Sequence, residues 1–83
     1  MDLKEAVAVA KRQINDLFAA EAPRDVRLEA FLYDDHLMVW SLTIGFALSA
    51  RAPGALASAG DARSYKIVRV SEADKSVLSI VDR

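Results

Sequence analysis

The chain of 83 residues has no cysteine, which excludes a disulfide framework, a thiolate nucleophile and a thiolate metal site together. The commonest staple of small secreted domains is missing, and a reducing, cytoplasmic setting is the expectation. Histidine is nearly absent as well. The single His36 lies beside Asp34 and Asp35 in a turn-like cluster, where adjacent groups converge poorly on a metal ion. No second histidine exists to build a Ser-His-acid arrangement. His36, Asp61 and Asp74 therefore read as solvated turn residues. No metal, no cofactor and no catalytic residue is expected, and the chain reads as a non-enzyme.

Glycine is scarce too. Gly54 and Gly60 stand isolated and match no phosphate-binding pattern, while Gly45 falls inside an apolar strand and predicts a bulge or bend. Charge of one sign accumulates nowhere: 11 basic and 12 acidic side chains leave a net charge of −1, without the basic footprint of a nucleic-acid binder. The uncharged stretch from His36 to Ala50 is 15 residues long and contains Ser, Thr and Gly, too short to span a bilayer. The start, Met-Asp-Leu-Lys-Glu, does not read as a signal peptide. Neither nucleic acid nor membrane is an expected partner.

What the chain does contain is clear hydrophobic periodicity. Leu3, Val7, Ala10, Ile14 and Leu17 recur at spacings of four and three, with Ala6 and Phe18 widening the stripe, so residues 2–20 predict an amphipathic helix. Asp2 can cap it, and Pro23 ends it by pushing its predecessor out of the α region. Residues 26–33, VRLEAFLY, alternate, with Val26, Leu28, Ala30 and Leu32 in one row and Arg27, Glu29, Phe31 and Tyr33 in the other. Residues 37–48 form a long strand whose heavy row is Met38, Trp40, Leu42, Ile44, Phe46 and Leu48. Residues 65–70 and 77–81 read as a second strand pair around a polar turn. Residues 49–63, rich in Ala, Gly and Ser, read as a flexible loop.

This order predicts a single α+β domain: one N-terminal helix packed on a four-stranded antiparallel sheet, in the sequence helix, hairpin, loop, hairpin. A chain of this size buries only about 60–65% of its unfolded surface, so its core is thin and association would help it. If the helix meets the row Val26, Leu28, Ala30 and Leu32, the opposite face carries Arg27, Glu29, Phe31 and Tyr33 together with Val39, Ser41 and Thr43. Strand 65–70 adds either Tyr65, Ile67 and Arg69 or Lys66, Val68 and Val70. Aromatic and arginine residues mixed on a sheet face mark an interface. The candidate partner-binding residues are therefore Arg27, Glu29, Phe31, Tyr33, Val39, Tyr65 and Ile67. Trp40, on the heavy row, is expected in the core with an acceptor near its indole N–H.

Three segments carry a family resemblance: Val39, Trp40, Leu42, Thr43, Ile44, Gly45 and Phe46; then Arg63, Tyr65, Lys66, Ile67, Val68 and Val70; then Val77, Leu78, Ser79, Ile80 and Arg83. With the helix before them, they resemble small PepSY-like, cystatin-like α+β proteins across most of the chain outside residues 49–62. The resemblance implies a non-catalytic domain that binds or inhibits another protein, and similar small α+β chains serve as immunity proteins. It supplies no active-site residue. The function expected is a protein-interaction module, an inhibitor, immunity-type or accessory protein that binds a protein partner or forms a homodimer. The alternative is a small-ligand-binding domain using the helix/sheet interior, with the 49–63 loop as a lid.

Overall fold

The computed structural model describes residues 1–48 and 63–83. Helix α1 spans Leu3–Leu17 and begins where predicted: the Glu5 amide donates to Asp2 Oδ1 at 2.9 Å, satisfying one of the free first-turn donors. Ala6, Ala10 and Ile14, four residues apart, form its fully buried stripe. The small alanines let the backbone sit close to whatever lies beneath. The Phe18 amide still bonds back to Ile14 O at 3.0 Å, but the chain then tightens into a 3-10 turn at Ala19–Glu21. Ala22, before Pro23, swings to φ 51.

Four strands follow: β1 Arg24–Asp34, β2 Val39–Ala47, β3 Ser64–Ser71 and β4 Val77–Asp82. They pair in sequence order, each antiparallel to the next, so the two predicted hairpins are joined by β2–β3 pairing into one open meander. The α+β architecture is as expected. Leu42, Ile44 and Phe46 of β2, with Val68 and Val70 of β3, are fully buried beneath the helix stripe. Phe18 closes one end of this core against Phe46, with ring centroids 5.1 Å apart. The 49–63 loop was predicted from composition; residues 49–62 of it lie outside the described residues.

The register of β1 departs from simple alternation. Leu28 faces Ile44 and Ala30 faces Thr43, so Glu29 is an extra residue, a β-bulge. Directly paired residues share a face. Val26 and Leu28 therefore lie on the helix side as expected, but beyond the bulge the rows exchange. Phe31 pairs with Leu42 and Tyr33 with Trp40, on the helix side, while Ala30 and Leu32 turn to the opposite face.

The strand predicted over 37–48 starts at Val39, because Leu37 and Met38 form the turn. Asp34 Oδ1 accepts the amides of His36 and Leu37 there, and Met38 takes φ 55. A left-handed conformation costs a side-chain-bearing residue about 1 kcal/mol. Met38→Gly should accordingly raise stability by about 0.5–1 kcal/mol, measurable as a higher urea midpoint at unchanged slope.

A second tether fixes the opposite hairpin to the helix. Lys75 in the β3–β4 turn reaches Glu5 at 2.8 Å, and Asp74 Oδ1 accepts the Ser76 hydroxyl at 2.7 Å. Through its hydrogen bond and its charge Lys75 holds the Glu5 carboxyl below its ordinary value, and bonds from Ser76 do the same for Asp74. Depressed carboxylates contribute stability above their unfolded pKa that is lost as pH falls through the folded one. Denaturant midpoints should thus decline as the pH drops below about 4, and Lys75→Met should flatten that decline. An unchanged acid slope in the variant would show that Glu5 contributes nothing.

Candidate protein-interaction surface

The helix occupies one side of the sheet. Among the described residues no helix or strand lies over the other side, and the register orders that open face into rows. Arg27, Gly45 and Tyr65 form the row at one end. Ala30, Thr43, Ile67 and Val81 form the next, and Leu32, Ser41, Arg69 and Ser79 the third. Asp34, Val39 and Ser71 complete it near the two turns. The pairing resolves the open question of β3: Tyr65, Ile67 and Arg69 face outward, and Val68 and Val70 belong to the core.

The row Ala30, Thr43, Ile67 and Val81 is apolar but for Thr43, with Ile67 its largest side chain. Leu32, in the next row, is 68% exposed and Val81 48%, on the two edge strands, whereas Thr43 and Val39 on β2 are only 9% and 6% exposed. Soluble antiparallel sheets usually present polar residues on a solvent face. A largely apolar band crossing all four strands is instead what an interface core looks like.

One end of the face is braced. The Arg63 guanidinium donates to Asp25 Oδ2 at 3.1 Å and to the Asp25 carbonyl at 2.9 Å, and lies 3.6 Å from Glu29 Oε2. Arg27 shares the same Asp25 carboxylate at 2.9 Å. Glu29 and Tyr65 fold across Gly45, where a Cβ would come within 2.7 Å of Glu29 Oε2 and 2.9 Å of Tyr65 Cε1. Gly45 was expected to mark a bulge or bend; the register shifts fall in β1, on either side of its partner Arg27, and not in its own strand. The role of Gly45 is instead to leave room for the side chains of the two neighbouring strands. Gly45→Ala should displace Glu29 from Arg63 and cost about 1 kcal/mol or more, read from thermal unfolding.

Besides Arg27 and Arg63, two more cations near this end have local partners. Lys66 pairs with Asp82 and lies 5.8 Å from the Phe18 ring centroid, and Arg83 stacks 4.2 Å over Tyr65. Such neutralised arginines suit a braced rim better than a phosphate-binding patch. His36 is exposed in its turn, and among the described residues no trio of His, Cys, Asp or Glu gathers to hold a metal ion. No helix among them is long and apolar enough to cross a membrane.

Of the seven residues singled out from the sequence, Arg27, Glu29, Val39, Tyr65 and Ile67 come together on the open face. Phe31 and Tyr33 do not: the Glu29 bulge puts them on the helix side, at the uncovered margin of β1. There Tyr33 stacks on Trp40 with centroids 4.7 Å apart, and the hydrogen-bonded Glu72 carboxylate raises its phenol above the ordinary value. Phe31 remains 55% exposed. Trp40 is half-buried at the rim of the core, and its Nε1 finds no acceptor among the described residues, contrary to expectation. Ala30, Leu32, Ser79 and Val81 are open-face residues that sequence reasoning missed. The apolar character of both rows after Glu29 was the available signal. Comparison of the chain with protein families, curated proteins and solved structures yields no match.

Proposed function

We propose that this chain is a non-catalytic protein-interaction module, acting as an inhibitor, immunity-type or accessory protein through the open face of its sheet. The observation that carries the reading is the band Ala30, Thr43, Ile67 and Val81, a row apolar but for Thr43 that crosses all four strands and lies under no helix or strand among the described residues. The brace of Asp25, Glu29 and Arg63 supports it by holding one border of the band in a fixed geometry. Preorganised borders around an apolar centre reduce the ordering cost of association. The resemblance to PepSY-like and cystatin-like proteins points the same way and rests on the helix followed by the three strand segments.

The test is affinity capture from the native host with the wild-type chain and with Ile67→Lys and Val81→Lys. Both positions point away from the helix, so the variants should retain the wild-type circular dichroism spectrum. A protein held by the wild type should be lost from both variants. Retention of the same protein by both, with the fold intact, would sink the open-face reading.

A further inference from the structure

Four of the large apolar side chains with the greatest exposure cluster in one short stretch of the chain: Phe31, Leu32, Leu37 and Met38, exposed by 55, 68, 61 and 45%. They surround the outer edge of β1 at its turn end. Edge strands in soluble proteins are normally blunted by bulges, proline, lysine or inward-pointing charge, because their free N–H and C=O groups invite another strand. The remainder of the sheet perimeter follows that rule. The first half of β1 is broken by the irregularity between Arg24 and Arg27, with Asp25 at φ 55, and by the Glu29 bulge. The opposite edge, β4, is six residues long and broken at Leu78.

Among the described residues Ala30 to Asp34 is the longest regular edge run, against Ser79 to Asp82 on β4. These five residues run in unbroken register with β2, contain no proline, lysine or glycine, and among the described residues meet no strand on their outer side. Apolar side chains project from both faces of this short edge, Phe31 on one and Leu32 on the other.

Charge decides what fits there. The edge run ends in Asp34 and Asp35 on one side and is preceded by Arg27 on the other. In an antiparallel pairing of the run with itself, centred on Phe31, Arg27 of each chain falls alongside the Asp34–Asp35 pair of the other. Shifting the centre to Leu32 moves Asp35 toward Glu29 of the other chain, a like-charge contact. Arg27 is held in the single chain only by Asp25, through an ion pair more than half exposed on both sides, which costs little to exchange.

From these observations we propose that the 30–34 edge of β1 pairs antiparallel with the same edge of a second copy of this chain in the register centred on Phe31, which sets Ala30, Phe31 and Leu32 of one chain against Leu32, Phe31 and Ala30 of the other. The two sheets join edge to edge into one of eight strands about a two-fold axis perpendicular to the sheet. Both helices then lie on one side, and the two open faces merge into one continuous platform on the other. The inference rests on reading the chain as an interaction module, and it assigns self-pairing to the edge while leaving the face for a different partner.

The test is sedimentation equilibrium of the full chain across a wide concentration range, with hydrogen exchange on the same samples. The wild type should be a dimer, with amides of residues 30–34 gaining protection as concentration rises. Leu32→Lys, at a position that is two-thirds exposed, should keep the fold and raise the dissociation constant by about tenfold or more. Arg27→Glu should weaken the dimer, and Arg27→Glu combined with Asp35→Arg should restore it. A chain that is monomeric throughout, or one that captures a different strand on this edge while remaining monomeric, overturns the proposal. So does a dimer that survives Leu32→Lys but is lost in Ile67→Lys, which would place self-association on the open face. In each case capture through Ile67 and Val81 decides separately whether the interaction-module reading survives.

Discussion

Phe46→Ala is expected to unfold a large fraction of the molecules at physiological temperature. Phe46 is the largest fully buried side chain, and it packs against Phe18 at the end of the helix as well as against the β2–β3 core. Truncating a buried phenylalanine costs about 3–5 kcal/mol, because the transfer free energy is lost and a cavity remains. A domain of this length has a total stability of about 4–12 kcal/mol. The expected result is a fall in melting temperature of about 15–30 °C, since each kcal/mol is worth about 4–8 °C at this size. The neighbouring exposed position offers a control: Leu17→Ala, half exposed at the last turn, should shift the midpoint by only a few degrees. Similar losses in both variants would mean that Phe46 does not anchor the helix end.

The second large effect runs in the opposite direction in volume. Ala10 is fully buried in the middle of the helix stripe, between Ala6 and Ile14, and faces the sheet. Ala10→Leu adds a branched side chain where the helix has no room to receive it. Overpacking of this kind costs about 1–3 kcal/mol and here belongs at the upper end, because the helix must lift from β2 and β3 to relieve it. Ala8→Leu, one turn face away at an exposed site, has nearly the same helix propensity change and should leave stability unchanged. The contrast between the two leucines isolates packing from propensity. Equal midpoints would show that the helix does not approach the sheet through its alanines.

The helix, the number of strands and their antiparallel pairing into two hairpins were legible in the sequence, because each rests on a strong periodic signal; the β2–β3 contact that joins the hairpins was not called. Leu3, Val7, Ala10 and Ile14 fit only a helix facing a core, and the heavy row of residues 40–46 fits only one side of a strand. Asp2 as the cap and the turn at Asp34–His36 follow from local side-chain chemistry, which needs no knowledge of the tertiary fold. The outward row of β3 was not legible. Lys66, Val68 and Val70 compete with Tyr65, Ile67 and Arg69 as core candidates, and only pairing with β2 decides between them.

Phe31 and Tyr33 went to the opposite side from their expected one for a definite reason. Ala30, Phe31, Leu32 and Tyr33 are all compatible with burial, so period-two alternation loses its signal just past Glu29. Nothing in those four residues opposes a one-residue slip. The actual cause is Glu29 itself, which sits over Gly45 near Arg63 and so belongs on the same side as Ala30. That arrangement depends on Arg63, which follows Glu29 by more than thirty positions in the chain. The candidate site was thus readable at Arg27 and Val39, open at Tyr65 and Ile67 until the pairing with β2 is known, and misassigned beyond the bulge.

The extra residue in β1 makes the composition of both sheet faces a question of parity. With Glu29 bulged out of the ladder, Phe31 and Tyr33 flank Trp40, and Leu32 joins the open side. Removing that one residue would join Leu28, on the helix side, directly to Ala30, on the open side, and restore even alternation with Phe31, Leu32 and Tyr33 on the faces they now occupy. Pairing Glu29 back into the ladder at unchanged chain length would instead carry two aromatic rings to the open face and one leucine back toward the helix. The chemistry presented beyond position 29 is therefore set by how the chain accommodates Glu29, and not by the identity of the side chains that follow it.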